Sequence, residues 1–232
     1  VSNNNAEQIG LPDYVKTPLE GDGDFRSSEC LALLEECDIV VTNPPFSLMK
    51  EYIPLVMESG KQFLVLGNMN HVTIKEIFHY FKDNKMWLGY NSGHFWFRVP
   101  DYYEEKQTDF KIDELGQKWR RMGNICWFTN MDIPKRHEPL DLYKKYSPDE
   151  FLKFDEFDGI NVNKTTDIPY DYSGIIGVPI SYMGYHCREQ FKIIGLDDPE
   201  NWIGHGPLLN GKAKYRRLLI QKVVQEMKEN EN

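Results

Sequence analysis

Asp38-Ile39-Val40-Val41-Thr42-Asn43-Pro44-Pro45-Phe46 is the stretch whose reading decides this chain. Its first half is rich in β-branched side chains and reads as a buried strand over 38–42. Pro44 and Pro45 then remove two backbone donors, fix φ twice and push Asn43 out of the helical region. The strand therefore ends in a stiff loop that holds one amide side chain, exposed carbonyls and an aromatic face. Open α/β sheets bind ligands beyond the carboxyl ends of their strands. Such a loop suits an exocyclic NH2 group. The Asn43 side-chain oxygen and the Pro44 carbonyl each accept one N–H, and Phe46 stacks on the planar ring that carries the amine. We take Asn43, Pro44, Pro45 and Phe46 as candidate catalytic residues, with methyl transfer to a planar amine as the expected reaction. A plain Pro-Pro turn is the competing reading.

The flanking sequence supplies the context that such a motif needs. Ser47 is the expected N-cap of a helix over 47–58 that stops at Gly60, with a kink at Pro54. Before the motif, Ser27 or Ser28 caps a helix through Cys37, with Leu31 and Leu34 facing inward. After it come a strand at Gln62-Phe63-Leu64-Val65-Leu66 and a capping box, Thr73-Ile74-Lys75-Glu76, that opens a helix to about Phe81. This β-α-β-α order predicts a parallel sheet. Strand-like runs at 85–90, 94–99 and 124–129 then predict an antiparallel closing edge. From about 136 onward Pro, Gly, Asp and Tyr punctuate the chain and predict a loop-rich C-terminal appendage. Its last segment, 212–230, reads either as a basic strand at 214–220 followed by a helix or as one amphipathic helix. We expect a core over 1–135 and the loop-rich region over 136–232.

Composition sets outer limits. The 232 residues are 41% hydrophobic and 13% aromatic, enough for a real core. No run approaches the length of a membrane span, and the polar beginning of the chain shows no signal-peptide pattern. Cys30, Cys37, Cys126 and Cys187 form no CxxC pair and have no ligand spacing to histidines, so neither disulfides nor a metal are expected, and a reducing cytoplasm fits. The net charge of −9 disfavours wholesale nucleic-acid binding. Positive charge is nevertheless clustered, in Lys111, Lys118, Arg120, Arg121, Lys135 and Arg136 and again in Lys212, Lys214, Arg216, Arg217 and Lys222. A solvated face explains either cluster as well as a groove for DNA does.

Several further strings share one resemblance. They are Gly21-Asp22-Gly23-Asp24-Phe25-Arg26-Ser27, the stretch 38–47, Trp87-Leu88-Gly89-Tyr90 and Gly93-His94-Phe95-Trp96-Phe97. Trp119-Arg120-Arg121-Met122-Gly123-Asn124, Ile168-Pro169-Tyr170-Asp171-Tyr172 and Asn210-Gly211-Lys212 complete the set. In this order they resemble the EcoRI-type adenine-specific DNA methyltransferases over roughly residues 20–220. The resemblance implies an α/β fold, a Rossmann-like methyltransferase sheet with antiparallel closing strands. It also implies S-adenosylmethionine as methyl donor and N6-methyladenine in duplex DNA as product, in restriction-modification or prophage systems. Asn43 to Phe46 match the family's catalytic motif, and Asp24-Phe25 resemble the acidic-aromatic motif that holds the donor's adenine, with Asn43 beside the donor as well.

One departure stands out. The family's glycine-rich donor-binding motif and the acidic residue on the following strand have no counterpart, and Gly21 and Gly23 follow no strand. The chain is therefore expected to correspond to the C-terminal two-thirds of such an enzyme. The missing first strands would belong to a longer gene product or to another polypeptide.

The flipped base that such an enzyme needs must be walled by aromatic rings. Phe46 is the first candidate, with Phe95, Trp96 or Phe97 as the second, although alternating aromatics in a strand usually serve a core. Lys118, Arg120, Arg121 and Lys212 are the candidate DNA contacts, with 136–232 as the candidate recognition part. His94 and His205 read as incidental loop histidines, and Asp22 as a turn former. Asn-Pro-Pro-aromatic loops also serve methyl transfer to RNA bases or protein glutamine. A non-catalytic fragment that binds DNA or a partner is the other alternative.

Overall fold

The structure, a computed structural model, describes residues 18–196 and 207–223. The lead-in before residue 18, His205 and any helix beyond 223 lie outside the described residues. The chain divides into two compact units, 1–37 and 38–232.

In the first unit a turn precedes one helix. The Glu29 carboxylate accepts the backbone N–H groups of Glu20 and Gly21, Asp22 accepts that of Asp24, and Gly23 takes the left-handed conformation at φ +78°. Asp22 thus shapes the turn, as expected. Ser27 caps helix α1 (Ser28–Glu36) by accepting from the N–H of Cys30, and Glu29 places negative charge at the positive end of the helix dipole. No residue of α1 is buried, so the inward face expected for Leu31 and Leu34 is not realised.

In the second unit β1 (Ile39–Thr42) leads into one 3-10 turn, Phe46–Leu48, and then helix α2 (Met49–Glu58). The cap of α2 is Leu48 with no side-chain bond, and not Ser47, because the tight turn that follows Pro45 uses Ser47. Pro54 lies inside α2, where its missing N–H leaves one carbonyl of the preceding turn without a helical donor. Gly60 ends the helix at φ +70°.

Strand β2 (Gln62–Asn68) pairs in parallel with β1, Thr42 lying against Val65. Its end runs into a short turn, Met69–Thr73, and helix α3 (Lys75–Lys82). The capping box expected at Thr73 is absent. The Thr73 hydroxyl donates to the Asn70 carbonyl instead, and a reciprocal box forms one turn earlier, between Asn68 and His71.

The runs at 85–90 and 94–99 prove to be one strand, β3 (Trp87–Arg98), which turns back through β4 (Phe110–Ile112) to β5 (Lys118–Thr129). The order is β1-β2-β5-β3, with β5 antiparallel to both neighbours and β4 on its outer half. Helices α2 and α3 bury Met49, Ile53, Val56, Ile77 and Phe81 against the inner half of this sheet, with Phe63, Val65 and Phe128. The fold class is thus α/β, with a parallel pair extended by antiparallel strands.

The C-terminal region is more regular than expected. β6 (Gly159–Asn161), β7 (Ile175–Val178), β8 (Phe191–Leu196) and β11 (Leu218–Lys222) form a second sheet in the order β6-β7-β11-β8. Its core is Ile160, Ile176, Val178, Phe191, Leu218, Leu219 and Ile220. The strands are short and far apart in sequence, so no local periodicity announces them. A small hairpin, β9 (Leu208–Leu209) with β10 (Lys212–Ala213), turns through Asn210 and Gly211, both at positive φ, the pairing a tight hairpin favours. The basic strand expected at 214–220 lies further on, as β11, so that Lys214, Arg216 and Arg217 precede it. Among the described residues no helix is long and apolar enough to cross a membrane, and no cluster of ligating side chains could hold a metal.

Candidate active site

The parallel pairing of β1 with β2 puts their carboxyl ends side by side, so the loops that follow them meet. This is where ligands of an α/β sheet bind. In the first loop Pro45 is extended (φ −58°, ψ 125°), and its carbonyl accepts the N–H of Leu48 at 2.9 Å. That bond closes the turn and consumes the Pro45 oxygen. Among the described residues no hydrogen bond uses the Asn43 side chain or the Pro44 carbonyl. Asn43 is exposed, Pro44 is buried and Phe46 is half-buried.

The second loop supplies a residue that the sequence reading missed. The imidazole of His71 stands perpendicular to the Phe46 ring, with centroids 5.1 Å apart and an interplanar angle of 88°. Its Nδ1 accepts the Asn68 N–H at 3.2 Å, while Asn68 Oδ1 accepts the N–H of Asn70 at 2.9 Å. Phe128 backs the imidazole at 6.4 Å. Burial lowers the His71 pKa, so the ring is neutral and carries its proton on Nε2. The available signal was an Asn-x-x-His spacing at the carboxyl end of a strand.

Asn68 pairs with Ile125 of β5, and Ile125 pairs with Gly93 of β3. The outer halves of β3 and β5, with β4, therefore project past the same carboxyl end that carries Asn43, Phe46 and His71. Phe95 and Trp96 lie on this arm, two to three residues beyond that row, or roughly 7–10 Å along the strand. Strand alternation sends them to opposite faces. Phe95 stacks near Phe97 at 6.1 Å, while Trp96 is 39% exposed beneath Lys111, whose Nζ lies 4.6 Å from the ring centroid. Among the described residues neither makes a ring contact with Phe46.

Three of the four expected DNA contacts have partners in the protein. Lys118 donates to the Tyr103 carbonyl, Arg120 to the Thr108 and Asp109 carbonyls, and Arg121 pairs with the Asp109 carboxylate. All three tie the 99–109 segment to the arm. Lys212 stands exposed on the β9–β10 hairpin.

Asp24 and Phe25 belong to the first unit. The Asp24 carboxylate accepts the Arg26 N–H and side chain, which hold its pKa down to about 2, and the Arg26 guanidinium lies 5.3 Å from the Phe25 ring centroid.

Residues 1–231 match the family model described as adenine-specific methyltransferase EcoRI. The chain belongs to that family. It is 43% identical to the type II methyltransferase M.EcoRI of Escherichia coli over 225 residues, which cover 94% of this chain and 67% of the relative. It is 37% identical to M.MgeORF184P of Mycoplasma genitalium and 35% identical to M.MpnI of Mycoplasma pneumoniae, each covering 90% of this chain and 72% of the relative. No solved structure matches this EcoRI-family chain.

Proposed function

We propose that this EcoRI-family chain carries the target-base site of a site-specific DNA adenine N6-methyltransferase of the restriction-modification type. The donor is S-adenosylmethionine, and the substrate is an adenine flipped out of duplex DNA. The observation that carries the reading is the pair of uncommitted acceptors, Asn43 Oδ1 and the Pro44 carbonyl, at the carboxyl end of β1 beside the half-buried Phe46 ring. The order β1-β2-β5-β3, parallel and then antiparallel, supports a Rossmann-like methyltransferase sheet.

The adenine N6 lone pair is delocalised into the ring and is a poor nucleophile. With both N6 hydrogens accepted, at Asn43 and Pro44, the nitrogen becomes more tetrahedral and its lone pair is free to attack. The bound donor supplies an electrophilic sulfonium methyl. In-line transfer would form the N6–methyl bond as the methyl–sulfur bond breaks, the donor would leave as a neutral thioether, and the proton then shed by N6 would pass to solvent water, with no covalent enzyme intermediate. As positive charge develops on N6, acceptors fixed by two prolines stabilise it with little reorganisation. Phe46 stacks on the flipped ring, and Phe95 or Trp96 on the projecting arm supplies the second wall. Asp24 remains ionised and keeps lone pairs beyond those given to Arg26, which fits a role toward the donor's adenine amine.

We assign the catalytic core to 1–135 and target-site recognition to 136–232, with Lys118, Arg120, Arg121 and Lys212 toward the DNA. The outer edge of β1 has no strand partner among the described residues, and Ile39 and Val41 are 46% and 66% exposed. An unpaired edge presents a row of open backbone N–H and C=O groups, so we place further strands of the sheet there, from this gene product or another polypeptide.

Transfer of labelled methyl from S-adenosylmethionine by the full-length gene product tests the reading. Label should enter duplex DNA at adenine N6. Transfer to RNA or to protein glutamine in its place overturns the DNA assignment, and no transfer at all favours a non-catalytic role.

A further inference from the structure

We propose that His71 is a positioning residue for the reaction, holding the Phe46 ring at the angle at which it stacks on the target adenine. The inference rests on the reading of Asn43–Phe46 as the target-base site and names the group that organises it.

A phenyl ring at a loop turns about χ2 over a broad torsional well, so its plane is set by what touches it. Phe46 has the prolines behind it along the chain and His71 perpendicular to it in space. A perpendicular neighbour occupies one side of the ring and leaves a face for a stacked base, which is the aromatic geometry that proteins favour. A leucine would fill the same volume with no directional preference. The imidazole, by contrast, is itself fixed in plane, because Nδ1 accepts the Asn68 N–H in a reciprocal box with the turn over 69–73. Asn68 is the last residue of β2 and is paired to Ile125. The chain of restraint therefore runs from the sheet through Asn68 to His71 and from His71 to Phe46. Phe128, buried in the core, backs His71 from the sheet side.

The device needs both properties of the side chain, a flat ring and a neutral nitrogen acceptor. His71→Phe keeps a ring and loses the acceptor, and His71→Ala loses both. Steady-state methylation of duplex DNA by the full-length gene product, with 2-aminopurine in place of the target adenine in a parallel fluorescence experiment, separates the possibilities. For His71→Ala we expect kcat to fall about tenfold, the effect of one perpendicular aromatic pair on a barrier. The KM for DNA should change less than about twofold, and bound 2-aminopurine should emit more brightly because it is less well stacked. His71→Phe should recover part of kcat and part of the quenching. Thermal melting of each variant measures the folded fraction, and rates are referred to it. Variants that keep wild-type kcat and quenching while the wild-type protein methylates DNA overturn the role of His71 alone. The same holds if kcat falls only in proportion to the folded fraction. A wild-type protein that transfers no methyl to DNA overturns the underlying site assignment, and the role of His71 with it.

Discussion

The guanidinium of Arg136 lies 3.4 Å from the centroid of the Trp87 ring, stacked on the indole at the start of β3. Its two amino groups donate to Asp132 at 2.9 Å and to Asn84 at 2.6 Å, and the side chain is 8% exposed. Arg136 was legible only as a member of a basic cluster, whereas the fold uses it as a fastener. A lysine has neither the planar face nor the fork. Arg136→Lys should therefore cost about 1–3 kcal/mol of stability, read from chemical denaturation, with no change in the denaturant slope.

Two histidines give opposite pH responses. His186, half-buried beside Tyr182, has its pKa pushed down to about 4, mainly by desolvation. An unfolded histidine binds its proton near about 6.5. The unfolded chain thus takes up protons first, so this contribution is full above that value and is lost as pH falls toward about 4. His186→Gln should flatten the melting temperature over that interval. His137 lies between Asp132 and Glu189, and hydrogen bonds to these carboxylates raise its pKa. Its contribution is full below about 6.5 and disappears as pH rises through the elevated folded value. His137→Gln should remove that alkaline loss, seen in the same melting series.

Asn43 is exposed and uses its side chain in no hydrogen bond among the described residues. Asn43→Ala should leave the melting temperature within about 1 °C of wild type, since a surface change of this kind is nearly neutral. Methyl transfer should fall by about 10²–10³ in kcat, as when a preorganised polar group is removed from a reacting centre. A parallel fall in both quantities would mean that Asn43 shapes the loop and takes no part in the chemistry.

Gly67 lies in β2 just before the site. A Cβ there would meet the Phe128 ring at 2.8 Å and the Met49 terminal methyl at 3.2 Å. Gly67→Ala should destabilise by about 1–3 kcal/mol through overpacking. Phe128 also backs His71, so methylation should slow beyond the loss of folded protein.

Arg120 donates to the carbonyls of Thr108 and Asp109 across the arm. Arg120→Ala should speed proteolytic cleavage within 100–109. If Arg120 also contacts a phosphate, the slope of log affinity for DNA against log salt should shrink by about 0.9. An unchanged slope with faster cleavage would restrict Arg120 to holding the loop.

What the sequence determined by itself was local. Strand β1, its proline-stiffened exit, helix α1 with its Ser27 cap and helix α2 with its Gly60 stop follow from short-range sterics and hydrogen bonds that neighbouring residues decide. The ordered family-like strings lie on the same chain and needed no coordinates. Tertiary structure decided who faces whom. Two strand-like runs became the single β3 because β5, more than twenty residues away, pairs with both, across register shifts between Leu88 and Ser92 and between Gly93 and Phe95. The four strands of the second sheet are three to six residues long, too short to show a period, and exist through one another. Lys118, Arg120 and Arg121 looked free in sequence, but their partners lie in a loop that only the arm's turn brings back. His71 meets Phe46 because two parallel strands end side by side, a contact fixed by sheet register and invisible to any local pattern.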